Sequence, residues 1–130
     1  MTAFKELGGK LILWHGWYDQ NIAPRNSINY YNNVITALDS EAEALEVIRL
    51  FMVPGMGHCS VGPGPDNLDA LAALEQWVEE DVAPETIEAA HMTESGEVAF
   101  SRPLCLYPQV AVYGGSGDIM DAANCSCAVP

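Results

Sequence analysis

The amino-acid sequence predicts an α/β architecture built on parallel strands, and three observations carry that prediction. Two short apolar runs, KLILWHGW at 10–17 and EVIRLFMV at 46–53, are each followed by a helix-patterned stretch, so strand, helix, strand and helix follow in order. Each run stops at a polar or a glycine- and proline-rich loop, as buried strands do. The composition, 49% hydrophobic and 18% charged over 130 residues, is globular and sufficient for one domain or a piece of one.

The first run lies between Gly8-Gly9 and Asp19-Gln20-Asn21, which suits a buried strand opening into a polar loop. Pro24 suits the first turn of a helix over 26–38. Its apolar residues Ile28, Tyr31, Val34, Ile35 and Leu38 recur at three- and four-residue steps and form one face. The acidic stretch 39–43 reads as a solvated connector or the start of a further short helix. The second run is β-branched and apolar, and Pro54-Gly55 ends it. The loop PGMGHCSVGPGP at 54–65 is too rich in glycine and proline for regular structure. Asp66 or Asn67 is placed to cap a helix over 68–80, which carries Leu68, Leu71, Ala72, Leu74, Trp77 and Val78 along one side. Beyond Pro84 the pattern fades: 97–113 reads as a hairpin or irregular strands, and the tail from Gly114 as loop. Trp14, Trp17 and Trp77 read first as core residues, and His91, after a weak helix, as a surface residue.

The charge balance narrows the partners. Five Lys+Arg against 18 Asp+Glu leave a formal charge of −13, and no basic cluster offsets it, so a phosphate backbone would be repelled and nucleic acid is excluded as a partner. The longest apolar runs, 11–14 and 50–53, fall far short of the roughly 20 residues a membrane helix requires. MTAFKELGGK has no apolar segment of the kind a secretory leader carries. Four cysteines, Cys59, Cys105, Cys125 and Cys127, permit three disulfide connectivities. Their spacing is poor for zinc, and disulfides in an oxidising compartment are the better reading. Asp118, Asp121 and Asn124 do not fit a calcium loop and read as capping and turn residues, so no metal is assigned.

In open α/β sheets functional groups collect on loops at the carboxyl ends of strands. Here the first such loop carries Asp19 and the second His58. Neighbouring parallel strands would bring the two together. An aspartate bonded to one ring nitrogen fixes the histidine tautomer and leaves the other nitrogen as a general base. His15, inside a strand end, reads as a histidine satisfied by its neighbours rather than a catalyst. A hydrolase of this layout also requires a nucleophile, ordinarily a serine in G-x-S-x-G on a strand-to-helix elbow. None of the seven serines, Ser27, Ser40, Ser60, Ser95, Ser101, Ser116 and Ser126, lies in that motif. Since the chain order in such folds is serine, acid, histidine, the sequence places the nucleophile before Met1.

Four blocks together resemble a known family: GGKLILWHGWYDQNIAPRNSINYY, RLFMVPGMGHCSVGPGPDNLDALAALEQWVE, APETIEAAH and SRPLCLYPQVAVYGGSGDIMDAANCSC. Their order and spacing look like the C-terminal part of the tannase and feruloyl esterase family. That resemblance implies the C-terminal part of an α/β-hydrolase fold, parallel strands with flanking helices and an irregular disulfide-linked tail. It implies that residues 1–130 are a partial catalytic domain from which the nucleophile elbow and lid are absent. Members are secreted serine hydrolases that cleave phenolic-acid esters such as galloyl or feruloyl esters.

By position, the family's triad acid matches Asp19 and its base matches His58. The family's cysteine beside the base, Cys59 here, is implied to bond a cysteine beside the nucleophile, outside this chain. A second family disulfide matches Cys105 and Cys127. Cys125 stands where the family usually has an aromatic residue, as a spare thiol or a competitor for Cys105. Trp17, beside the Asp19 loop, is the residue placed to touch an aromatic acyl group. The family's calcium site lies in the absent lid, so no cofactor is implied for these residues. The partners implied are a phenolic ester and the missing N-terminal portion or a complementary subunit. An alternative from another class is a non-catalytic α/β subunit or interaction domain that pairs with a partner chain. A small Cys/His metal module is the weakest reading.

Overall fold

A computed structural model describes residues 1–130. After a short helix α1 (Thr2–Glu6), strand β1 (Leu11–Gly16) leads into helix α2 (Arg25–Ala37), then helix α3 (Glu41–Leu45) and strand β2 (Ile48–Val53). Strands β1 and β2 are parallel and in register from Leu11 opposite Ile48 to Gly16 opposite Val53. Their carboxyl ends therefore finish level, which places the two loops predicted to carry chemistry side by side. The acidic stretch after α2 becomes α3, capped by Ser40, whose hydroxyl accepts from the Glu43 N–H.

Every residue of β2 is buried, as expected of a strand covered on both faces. Ile48, Leu50 and Met52 alternate onto one side, against Ile28, Tyr31, Val34 and Leu38 of the α2 region. Phe51 and Val53 face the other way, into a second core with Ile12, Met56, Trp77, Ile87, Ala89 and Leu104. Arg49 is buried on that face. It donates to the carbonyls of Leu45 and Pro84 and lies over the Trp77 ring at 5.0 Å, while its head meets Glu85 at 3.5 Å.

The second half is antiparallel. The two-residue strand β3 (Asn67–Leu68) precedes helix α4 (Ala70–Glu80), and β3 pairs with β4 (Thr86–Met92), which pairs in turn with β5 (Val98–Cys105). Strands β6 (Val110–Tyr113) and β7 (Cys125–Ala128) form a separate ribbon, with a 3₁₀ turn at Ala122–Asn124 before β7. The Cys105–Cys127 disulfide ties that ribbon to β5.

Four sequence expectations are corrected. Helix α4 is capped by Asp69, not by Asp66 or Asn67; the Asp66 carboxylate instead accepts from the Val61 N–H inside the loop. Residues 86–92 are a strand rather than a weak helix, and His91 stacks on Phe100 and bonds the Gly64 carbonyl at 2.9 Å. The tail is not all loop, because β7 pairs with β6. Of the tryptophans only Trp77 is core; Trp14 and Trp17 are 41% and 46% exposed. β1 has β2 along one edge and no strand along the other.

Candidate active site

The site begins with the way the two loops leave the sheet. The Trp17 N–H donates to the Val53 carbonyl at 2.9 Å and the Tyr18 N–H to the Met56 carbonyl at 3.0 Å, so the first loop is laced to the second by backbone bonds. Gly16 permits this approach. A Cβ there would lie 2.0 Å from the Met56 carbonyl oxygen, which no side chain could occupy without displacing backbone. The second loop folds back on itself: the Gly57 N–H reaches the Val61 carbonyl at 2.7 Å and the Gly64 N–H the Gly55 carbonyl at 3.1 Å. His58 projects from this closed loop. Cys59, next to it, has positive φ (62°), is exposed and carries a free thiol.

Asp19 and His58 meet as the strand order requires. The carboxylate is almost fully buried, with 4% of its side chain exposed, while the His58 side chain is 41% exposed. His58 Nδ1 lies 2.9 Å from Asp19 Oδ2. The other carboxylate oxygen, Oδ1, accepts from the N–H groups of Asn21 (2.8 Å) and Ile22 (2.9 Å). The Ile22 N–H does most to hold the Asp19 carboxyl well below its ordinary value of 3.8. Desolvation pushes the other way, and His58, the Asn21 N–H and His15 add to the lowering.

An ionised carboxylate can only accept, so the His58 Nδ1 carries a hydrogen, and in the neutral ring its Nε2 keeps a lone pair. No side chain among these residues bonds that Nε2. The arrangement can take a proton at Nε2 and stabilise the resulting charge through Asp19, which is the work of a general base.

His15 is also part of the constellation. Its Nε2 lies 3.0 Å from the same Oδ2 that receives His58, and its Nδ1 lies 2.7 Å from the Ser27 hydroxyl. The sequence reading of His15 as a satisfied histidine fits, but what satisfies it is the candidate acid itself. The signal was the four-residue step from His15 to Asp19 across a strand end and a tight turn.

A pocket of about 290 Å³ opens over the pair. Trp14, His15, Ile22, Met56 and Cys59 line it with Asp19 and His58. Trp17 lies elsewhere. It lines a larger groove of about 790 Å³ with Arg25, Phe100, Arg102 and Tyr107, so the aromatic residue beside the acid and base is Trp14. Cys105 pairs with Cys127, and Cys125 is a free thiol. Asp118, Asp121 and Asn124 serve their own turn. Asp118 accepts from the Met120 N–H and Asp121 from the Ala123 N–H, while the Asn124 amide donates to the Asp118 carbonyl. All three are thus engaged in capping and turn hydrogen bonds of their own segment.

Comparison with known proteins places this geometry in a family. A family model described as tannase and feruloyl esterase matches residues 1–128. A mono(2-hydroxyethyl) terephthalate hydrolase from Piscinibacter sakaiensis is 46% identical over 132 residues, covering 100% of this chain and 21% of that protein. The crystal structure of an esterase from Aspergillus oryzae superposes with a TM-score of 0.88 at 35% identity, over 98% of this chain and 29% of that one. Feruloyl esterase B from Aspergillus oryzae superposes with a TM-score of 0.89 at 30% identity, over 98% of this chain and 28% of that one. The chain thus spans between a fifth and three-tenths of the length of these relatives.

Proposed function

This chain belongs to the tannase and feruloyl esterase family, and from that premise we propose that it supplies the acid and base of a serine carboxylic-ester hydrolase. Asp19 is the acid, His58 the base, and the attacking serine comes from polypeptide outside these residues. The observation that carries the reading is the 2.9 Å contact between His58 Nδ1 and Asp19 Oδ2 at the level carboxyl ends of two parallel strands, with His58 Nε2 unoccupied.

The chemistry follows from that free nitrogen. His58 Nε2 takes the serine proton as the serine oxygen attacks the ester carbonyl, and Asp19 stabilises the imidazolium that forms. Return of the proton to the departing alkoxide leaves an acyl-enzyme, and a water deprotonated by the same nitrogen releases the acid. The exposed Cys59 thiol, adjacent to His58, is free to bond a cysteine beside that serine and hold the two loops in register. Residues 1–130 act as the C-terminal portion of the catalytic domain. The unpaired edge of β1 and the exposed Trp14, Leu71 and Val78 support a further portion docking there. The Cys105–Cys127 disulfide supports a secreted location, because such bonds persist where the surroundings are oxidising.

The substrate class is esters of phenolic acids, galloyl or feruloyl. Trp14, Met56 and Ile22 give the pocket an apolar rim suited to an aromatic acyl group. The test is release of acid from methyl gallate, methyl ferulate and a terephthalate half-ester. The 130-residue chain by itself should release none. A polypeptide joining it to the serine-bearing portion should turn over at least one, and His58→Ala should lower the rate about 10⁴-fold or more. Turnover by the isolated chain that His58→Ala abolishes would refute the division of labour. An inert joined polypeptide that forms a stable complex would favour a non-catalytic subunit.

A further inference from the structure

We infer that His15 is a positioning residue for the acid–base pair: it fixes the Asp19 carboxylate, and through it the His58 ring, by a hydrogen bond anchored in turn on Ser27. The inference rests on reading Asp19 and His58 as acid and base. It goes beyond that reading by adding a third side chain and a direction of support.

The geometry starts from how a carboxylate can move. Oδ1 is held by two backbone N–H groups of its own turn, at 2.8 and 2.9 Å, but these leave Oδ2 free to swing about the axis they define. His58 cannot fix Oδ2, because His58 is the group to be oriented and sits on an exposed loop. His15 can. It lies on β1, paired with Met52 of the buried β2, and only 12% of its side chain is exposed. Its Nε2 reaches Oδ2 at 3.0 Å, so that one oxygen receives an imidazole from the strand and another from the loop.

The tautomer follows from the partners. Besides Oδ2, His15 Nε2 faces the Ile22 carbonyl at 3.2 Å, and both are acceptors, so Nε2 carries the hydrogen. In the neutral ring Nδ1 then accepts from the Ser27 hydroxyl at 2.7 Å. Ser27 lies in the first turn of α2, so Ser27, His15, Asp19 and His58 form a chain from helix to strand to loop. Both His15 nitrogens are occupied, whereas His58 keeps one free. That difference excludes His15 as the base and suits it to support.

Two variants separate positioning from packing. His15→Phe keeps the ring volume and removes both bonds, while His15→Gln keeps an N–H donor near the Nε2 position. In the 130-residue chain, ¹⁵N NMR of the histidine rings should show His58 mainly as the Nδ1–H tautomer. His15→Phe should move a large share of it to the Nε2–H form. His15→Gln should restore the parent pattern, and Ser27→Ala should fall between. In the polypeptide that carries the serine portion, His15→Phe should lower kcat by roughly 10- to 100-fold with KM within about twofold, and His15→Gln should recover most of it. If His15→Phe does not fold, His15→Asn, too short to reach Oδ2, takes its place. A folded His15→Phe with an unchanged His58 tautomer overturns the inference. Because the tautomer is read without any ester, a shifted tautomer in a joined polypeptide that cleaves nothing refutes the esterase reading alone. An unchanged tautomer in an active enzyme refutes the positioning role alone.

Discussion

The parallel unit of β1, α2 and β2 and the antiparallel unit of β4 to β7 are held together differently. In the first, all six residues of β2 are buried and the strands are fixed by apolar contacts on both faces. In the second, Val110 and Val112 of β6 are 43% and 46% exposed, and a disulfide rather than a core ties the last ribbon down. All of the candidate chemistry sits at the carboxyl ends of the first unit. A site that must hold oxygen and nitrogen to a few tenths of an ångström is thereby placed on the part of the molecule whose backbone has fewest alternatives. The second unit contributes a wall behind it through Ile87, Ala89 and Leu104 and lends no residue to the Asp19–His58 pocket.

That contrast makes separable predictions. Gly16→Ala strikes the junction of strand and loop. The added methyl must displace the Met56 carbonyl, so unfolding free energy should drop by about 1–3 kcal/mol, and the His58 ring resonances should shift with it. Replacing Cys105 and Cys127 together by serine should cost about 3 kcal/mol by loop entropy over their 22-residue separation. The second unit should loosen while the His58 tautomer stays as it was, and a changed tautomer would show that the two units are not independent.

Acid should act on the first unit. The Asp19 carboxyl is held below 3.8 in the fold, so its contribution is fully present above that value and is lost as pH falls below it. Denaturant midpoints of the parent should therefore decline on acidification from pH 5 to pH 2 more steeply than those of Asp19→Asn, and parallel declines would contradict the assignment. Smallest of all, Leu71→Gln on the exposed face of α4 should change the stability of the isolated chain by no more than about 0.5 kcal/mol and weaken association with the serine-bearing portion instead.

The same contrast decides what the sequence disclosed. Strands β1 and β2 and helix α2 were legible because burial imposes a period: 10–17 and 46–53 contain the observed strands, and 26–38 matches α2 to within one residue at each end. Asp19 and His58 were legible because each follows such a strand. The antiparallel half was not. β4 reads as TIEAAHM, in which alanines and a glutamate mimic helix, and its identity as a strand comes from pairing with β5, whose residues are distant in sequence for most of the ladder, as in Thr86 opposite Cys105. β6 and β7 are four residues each, too short for any period to show. Trp14 and Trp17 misled because an apolar run implies burial, whereas Trp14 stands exposed on β1, one edge of which no strand covers, and Trp17 lies beyond the strand's end. The support from His15 was hidden for a simpler reason: sequence spacing shows which residues share a turn, not that two imidazoles converge on one oxygen.

The proposed division of labour puts acid and base in these residues and the attacking hydroxyl outside them. A fluorophosphonate, which forms a covalent bond to an activated serine, tests it when the adduct is mapped by peptide mass. The 130-residue chain should take no label. The polypeptide extended by the serine-bearing portion should take one, at a serine outside residues 1–130, and His58→Ala should slow labelling to near the solution rate. An adduct on any of the seven serines within the chain, formed at a rate dependent on His58, would contradict the account.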